Sequence, residues 1–137
     1  SSAASDVYKR QGTYAALFAI GSMVETAWQV RRKLAEKGIP TTVVNARFAM
    51  PLDKNCLRKL AESHPLLVTM EENVASGGFG EHVAAFLEEE ALHTKVLRIA
   101  IPDCFVEHGS VGELKKALGL DADSVTEKIL AELPEEL

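Results

Sequence analysis

The chain has 137 residues, 47% of them hydrophobic and 26% charged, with a net charge of −5. That length fits one domain with one core, and that balance of apolar and charged residues excludes an intrinsically disordered chain. The acidic balance argues against nucleic acid or an anionic membrane as partner, because both require a basic face, and no apolar run approaches the ~20 residues of a membrane span. The two cysteines, Cys56 and Cys104, form no C-x-x-C and read as reduced thiols of a cytoplasmic protein.

Residues 1–12 have neither an apolar period nor the pattern of a signal peptide. They read as a disordered or non-native N-terminal segment, and residues 13–137 as the domain. Tyr14 to Ile20 is continuously apolar, short and closed by Gly21, the mark of a strand buried on both faces. Ser22-x-x-Glu25 predicts a capping box. Met23, Ala27, Val30 and Leu34 then recur at helical spacing, with Val24 and Trp28 beside them, until Gly38 closes the helix and Pro40 prevents its resumption.

Thr41 to Ala46 is a β-branched second strand, followed by the loop Arg47-Phe48-Ala49-Met50. Asp53 predicts the cap of the next helix, with Leu52 and Leu57 as a hydrophobic staple and Leu57, Leu60 and Ala61 facing inward up to His64-Pro65. Leu66 to Met70 is the third strand, with Glu71-Glu72-Asn73 expected at its carboxyl end. Gly77-Gly78-Phe79-Gly80 opens a helix with Phe79, Val83, Phe86 and Leu87 on one stripe.

Lys95 to Ile101 is the fourth strand, placed at a sheet edge because Arg98 lies inside it. Ser110-x-x-Glu113 and Ser124-x-x-Glu127 predict the caps of two final helices. The alternation gives an α/β fold of three layers, α/β/α, with a doubly wound, mainly parallel sheet of four to five strands.

Candidate chemistry is sparse. The glycine-rich turn before Phe79 is not G-x-G-x-x-G and carries no P-loop lysine, so close packing of a helix on the sheet is favoured over phosphate binding. The four histidines show no metal spacing. His64 reads as a helix-end residue, His82 and His93 as solvated, and His108 as the one histidine whose loop position suits an interface. Glu71 and Glu72 are adjacent on a strand end and point opposite ways, so they make a poor acid/base pair. One of them is expected to pair with Arg47. Cys104 has no activating base near it, and no nucleophile–base set stands out.

Several of these segments carry a resemblance. They are Val43-Val44-Asn45-Ala46-Arg47-Phe48, Pro51-Leu52-Asp53, Val68-Thr69-Met70-Glu71-Glu72-Asn73, Gly77-Gly78-Phe79-Gly80, Ile101-Pro102-Asp103-x-Phe105-Val106-Glu107-His108-Gly109-Ser110 and Gly119-Leu120-Asp121. From about Thr13 to Leu133 the chain resembles the C-terminal, transketolase-like domain of 1-deoxy-D-xylulose-5-phosphate synthases. The Arg-Phe, Pro-Leu-Asp, Glu-Glu-Asn and Gly-Gly-x-Gly parts are shared with transketolase-like C-terminal domains at large. The Pro-Asp-x-Phe…His-Gly-Ser and Gly-Leu-Asp parts single out the synthases.

The resemblance implies a larger enzyme, a homodimeric transferase dependent on thiamine diphosphate and magnesium. It condenses pyruvate with glyceraldehyde 3-phosphate and releases CO2, feeding isoprenoid, thiamine and pyridoxal synthesis. Two upstream domains hold the cofactor, the metal and the substrate phosphate, and the Gly-Asp-Gly…Asn metal motif is absent from this sequence. No catalytic, cofactor-binding or metal-binding role is therefore carried onto any of its positions. Arg47, Asp53, Glu71, Glu72 and His108 remain as candidates for domain and dimer docking.

The chain departs from the family in two places. Met50 stands where a lysine often precedes the Pro-Leu-Asp motif, and residues 1–12 do not match the family's extra antiparallel edge strand. The expected strand order is then second, first, third, fourth, with Thr41–Ala46 as an uncovered edge open to pairing. Two other readings compete: a stand-alone small-molecule-binding α/β module using Arg47, Glu72 and His108, and the C-terminal piece of a 2-oxoacid dehydrogenase β subunit.

Overall fold

The computed structural model describes residues 14–46, 54–74, 78–101 and 111–133; Arg47, Leu52, Asp53, Cys104 and His108 lie outside the described residues, as do residues 1–12. The side chains of residues 72–74, 111, 112 and 114 are likewise outside the description. Strands β1 (Ala15–Ala19), β2 (Thr41–Asn45), β3 (Leu66–Val74) and β4 (Lys95–Ile101) form one sheet in the order β2-β1-β3-β4. Every pairing is parallel. Among the described residues, five helices accompany them: α1 (Met23–Glu36), α2 (Lys54–Ser63), α3 (Phe79–Glu89), α4 (Val111–Ala117) and α5 (Ala122–Ala131).

The continuous apolar run of β1 has a simple cause. The strand is central, and all five residues are fully buried. Ala15, Leu17 and Ala19 face a core built by Met23, Ala27, Val30 and Leu34 of α1 and Val125 and Ile129 of α5. Ala16 and Phe18 face the opposite core, made by Leu57, Leu60 and Ala61 of α2 and Phe79, Val83, Phe86 and Leu87 of α3. Phe18 stacks on Phe79 with ring centroids 5.5 Å apart. Two packed faces on one parallel sheet are the expected three-layer, doubly wound arrangement.

The strand order and the edge position of β4 are as the sequence implies, and Arg98 is exposed there. On the opposite edge, Arg31 Nε donates to the carbonyl oxygen of Thr41 at 3.2 Å, which blunts part of β2. Helix α1 ends as expected: Gly38 sits at φ +78, and the amides of Gly38 and Ile39 reach the carbonyls of Ala35 and Leu34, both at 2.9 Å.

Three local expectations are corrected. The Ser22–Glu25 capping box does not form, because Ser22 is itself helical (φ −66, ψ −14) and its side chain makes no cap bond. Gly21, at φ +66, turns the chain so that the amides of Met23 and Val24 reach the carbonyls of Ile20 and Gly21, leaving those donors already satisfied. The last helix starts earlier than the Ser124 signal implies. Asp121 is the N-cap in extended geometry, and its Oδ2 accepts from the Ser124 amide at 3.2 Å. Finally, β3 continues through Glu71–Val74, with a register irregularity between Met70 and Val74 against β4. Glu71, Glu72 and Asn73 are thus inside the strand and not beyond it.

Candidate functional site

In an open α/β sheet, ligands and partners meet the carboxyl ends of the strands near the point where strand order reverses. Here that point lies between β1 and β3, flanked by the Gly21–Ser22 turn and the start of α3. Of the five residues singled out in the sequence, Glu71 alone has a described side chain. Glu72 is placed on β3 by its backbone.

Glu71 is fully buried on the face of the sheet covered by α2 and α3. Its described partners are two backbone amides, and the expected pairing with Arg47 lies outside the described residues. Glu71 Oε1 accepts from the Phe79 amide at 2.7 Å, and Oε2 from the Gly80 amide at 2.5 Å. These are first-turn amides of α3, whose N-cap, Gly78, is extended and contributes no side chain. A carboxylate therefore occupies the positive end of the helix dipole. The anion reading of the glycine-rich turn and the close-packing reading both describe part of this arrangement, since the anion is the protein's own and the packing requires Gly80.

A Cβ on Gly80 would lie 2.5 Å from Thr69 Oγ1, 3.0 Å from Glu71 Oε2 and 3.1 Å from Arg98 Nε. Neither Thr69 nor Arg98 stands out in the sequence as a partner of Glu71. The available signal is period-two alternation: Thr69 and Glu71 share one face of β3, and Arg98 is the residue of β4 in register with Thr69.

His64 forms a second buried polar centre, 2% exposed at the end of α2. Its Nδ1–H donates to the Leu60 carbonyl at 2.9 Å, and Nε2 accepts from the Thr42 hydroxyl at 3.0 Å. A carbonyl can only accept, so the network assigns the proton to Nδ1. Burial pushes the imidazole below its ordinary value, against the opposing pull of the Leu60 carbonyl. The helix-end role expected for His64 holds, with a buried tie to β2 added. His82 and His93 are exposed, as expected.

A shallow groove of about 790 Å³ runs along α1 to the start of α5, lined by Gly21, Val24, Trp28, Lys115 and Asp121 among others. Lys115 Nζ lies 3.5 Å from Ser22 Oγ. Burial raises the Asp121 carboxyl, and hydrogen bonds from the Ser124 side chain and amide outweigh it, so the group sits below its ordinary value. No set of three or more His, Cys, Asp or Glu side chains among the described residues converges as metal ligands do. With the α3 amides already engaged by Glu71, the described residues do not fit a magnesium–diphosphate group.

Fold and site define a doubly wound α/β domain whose anion-binding helix start is filled by its own strand. The family model for the transketolase C-terminal domain matches residues 6–125, and the chain belongs to that family. It is 56% identical over 115 residues to 1-deoxy-D-xylulose-5-phosphate synthase of Lachnoclostridium phytofermentans, covering 83% of this chain and 18% of that protein. It is 46% identical over 121 residues to 1-deoxy-D-xylulose-5-phosphate synthase 1 of Geobacter metallireducens, covering 88% of this chain and 19% of that protein. It is 38% identical over 126 residues to the synthase of Shouchella clausii, covering 92% of this chain and 20% of that protein.

Among solved structures, a split-gene transketolase described as an "inactive beta4 tetramer" superposes with a TM-score of 0.80 at 29% identity. The match covers 88% of this chain and 39% of that one. The chain thus spans about a fifth of the length of the curated relatives it matches.

Proposed function

We propose that this domain serves assembly in a thiamine-diphosphate- and magnesium-dependent 1-deoxy-D-xylulose-5-phosphate synthase. That enzyme joins pyruvate to glyceraldehyde 3-phosphate with loss of CO2. In this reading the domain docks against upstream domains that hold cofactor and metal, supports a cytoplasmic homodimer, and supplies no group to the reacting atoms. Arg47, Asp53, Glu72 and His108 contribute the docking edge, while Glu71 acts from inside the domain.

The observation that carries this reading is the occupied α3 N-terminus. The helix start best placed at the carboxyl edge to take a substrate phosphate is held by the Glu71 carboxylate. Similarity to the synthases supports the choice of reaction over the 2-oxoacid dehydrogenase and free-standing alternatives.

The test has two arms. Purified 137-residue chain, supplied with pyruvate, glyceraldehyde 3-phosphate, thiamine diphosphate and magnesium, is expected to give no turnover. The same chain mixed with the remaining domains of a synthase is expected to bind them and restore turnover to a preparation that lacks its own C-terminal domain. Turnover by the chain alone, or absence of any binding, overturns the reading. A coding sequence upstream of Ser1 without a Gly-Asp-Gly…Asn motif would do so as well.

A further inference from the structure

The start of α3 holds more than an ordinary cap. Two aligned amides converge on the Glu71 carboxylate. The Thr69 hydroxyl, on a fully buried residue, makes no hydrogen bond and crowds the first turn at Gly80. The Arg98 Nε lies 3.1 Å from where a Cβ on Gly80 would stand. Helix amides, the positive end of a dipole, a buried hydroxyl with an unused donor and a nearby cation are the parts from which oxyanion cradles are built.

We propose that Glu71 is a tethered ligand: it fills a built carboxylate-binding cradle and thereby fixes the first turn of α3 on β3. A free small carboxylate is the ligand class that the cradle takes once the side chain is cut back. Glu71 is a positioning residue in this scheme. Its consequence for assembly rests on the docking reading above, because the start of α3 lies at the carboxyl edge of the sheet. A buried residue that merely fills space would be insensitive to an added anion, whereas a tethered ligand is replaceable by a free one.

The test uses the 137-residue chain and its Glu71→Ala and Glu71→Gln variants, with sodium formate as probe and sodium chloride at equal ionic strength as control. Glu71→Ala is expected to melt roughly 5–15 °C below the parent, from the loss of charge-assisted bonds to buried donors. Formate then restores a saturable part of that loss, chloride does not, and the parent is indifferent because its cradle is filled. Formate acting equally on parent and variant, or on neither, overturns the proposal.

Should Glu71→Ala fail to fold, Glu71→Gln decides by NMR. The amide protons of Phe79 and Gly80 are expected to move upfield and exchange faster in that variant, while those of α1 stay in place. Unmoved Phe79 and Gly80 signals refute the cradle. Binding of each variant to the upstream domains separates the two readings. Formate rescue with undisturbed docking removes the assembly role and leaves the cradle standing, whereas a parent chain that never docks contradicts the assembly function alone.

Discussion

Thr69 on β3 and Gly80 in the first turn of α3 pack with no room for a methyl group between them: a Cβ on Gly80 would lie 2.5 Å from Thr69 Oγ1. In most helices, glycine to alanine stabilises by about 1 kcal/mol. Here the sign reverses, because the neighbours are a fully buried strand residue and a bonded carboxylate and neither can retreat freely. Gly80→Ala is expected to lower unfolding free energy by about 1–3 kcal/mol, the usual cost of overpacking. In a double-mutant cycle by urea unfolding, Thr69→Ala should recover part of that loss. An additive cycle would show that the strain lies elsewhere.

The imidazole of His64 gives the fold an acid-sensitive tie between α2 and β2. Burial holds its folded value below the ordinary 6.5, so the native state binds fewer protons than the unfolded chain between those two values. The contribution is constant above about 6.5 and stability falls as pH drops from there to the depressed folded value. Each unit of depression corresponds to about 1.4 kcal/mol. The urea midpoint should therefore fall more steeply between pH 7.5 and 5 in the parent than in His64→Gln, whose amide does not titrate. Parallel profiles for the two proteins would contradict this assignment.

The contrast between these two centres shows what a sequence can reveal locally. Helix α1 was legible because Met23, Ala27, Val30 and Leu34 repeat at helical spacing, and β1 because burial on both faces leaves an unbroken apolar run. The edge position of β4 was legible from Arg98 alone. The described partners of Glu71 were not, since these amides come from residues eight and nine positions later, on a separate element that no local pattern ties to the strand.

The caps predicted at Ser22 and Ser124 do not form, for a related reason. Ser22 matches the capping-box spacing, but the Gly21 turn satisfies the first donors with backbone carbonyls. The Ser124 spacing overlaps that of Asp121, and the amide of the first serves the carboxylate of the second.

That last relationship separates a cap from an ion pair on the same short helix. Asp121 accepts the Ser124 amide at the start of α5, and Asp121→Ala is expected to destabilise by about 1 kcal/mol, as cap removal generally does. Asp123, two residues on, pairs with Lys33 of α1 at 2.6 Å, but its side chain is 80% exposed. Exposed pairs are screened and cost side-chain entropy, so Asp123→Ala should leave the urea midpoint unchanged at 150 mM salt. Equal losses from the two substitutions would mean that α5 is held by charge and not by its cap.

Trp28 is the single tryptophan of the chain, 45% exposed on the outer side of α1 with the Arg31 guanidinium 5.5 Å from its ring centroid. Its neighbours on α1, Ala27 and Val30, enter the core, whereas the indole lines the groove next to Val24. Just over half of the residue is withdrawn from water there, and an exposed cation–π contact adds about 0.5–1 kcal/mol. Trp28→Ala should therefore lower unfolding free energy by about 1–2 kcal/mol, against roughly 3–5 kcal/mol for truncating a buried aromatic such as Phe18. In the folded parent the indole should emit as a solvated group and be quenched efficiently by iodide. Fluorescence resistant to iodide at native pH would show that the groove is closed over the ring, and a large loss from Trp28→Ala would place Trp28 in the core.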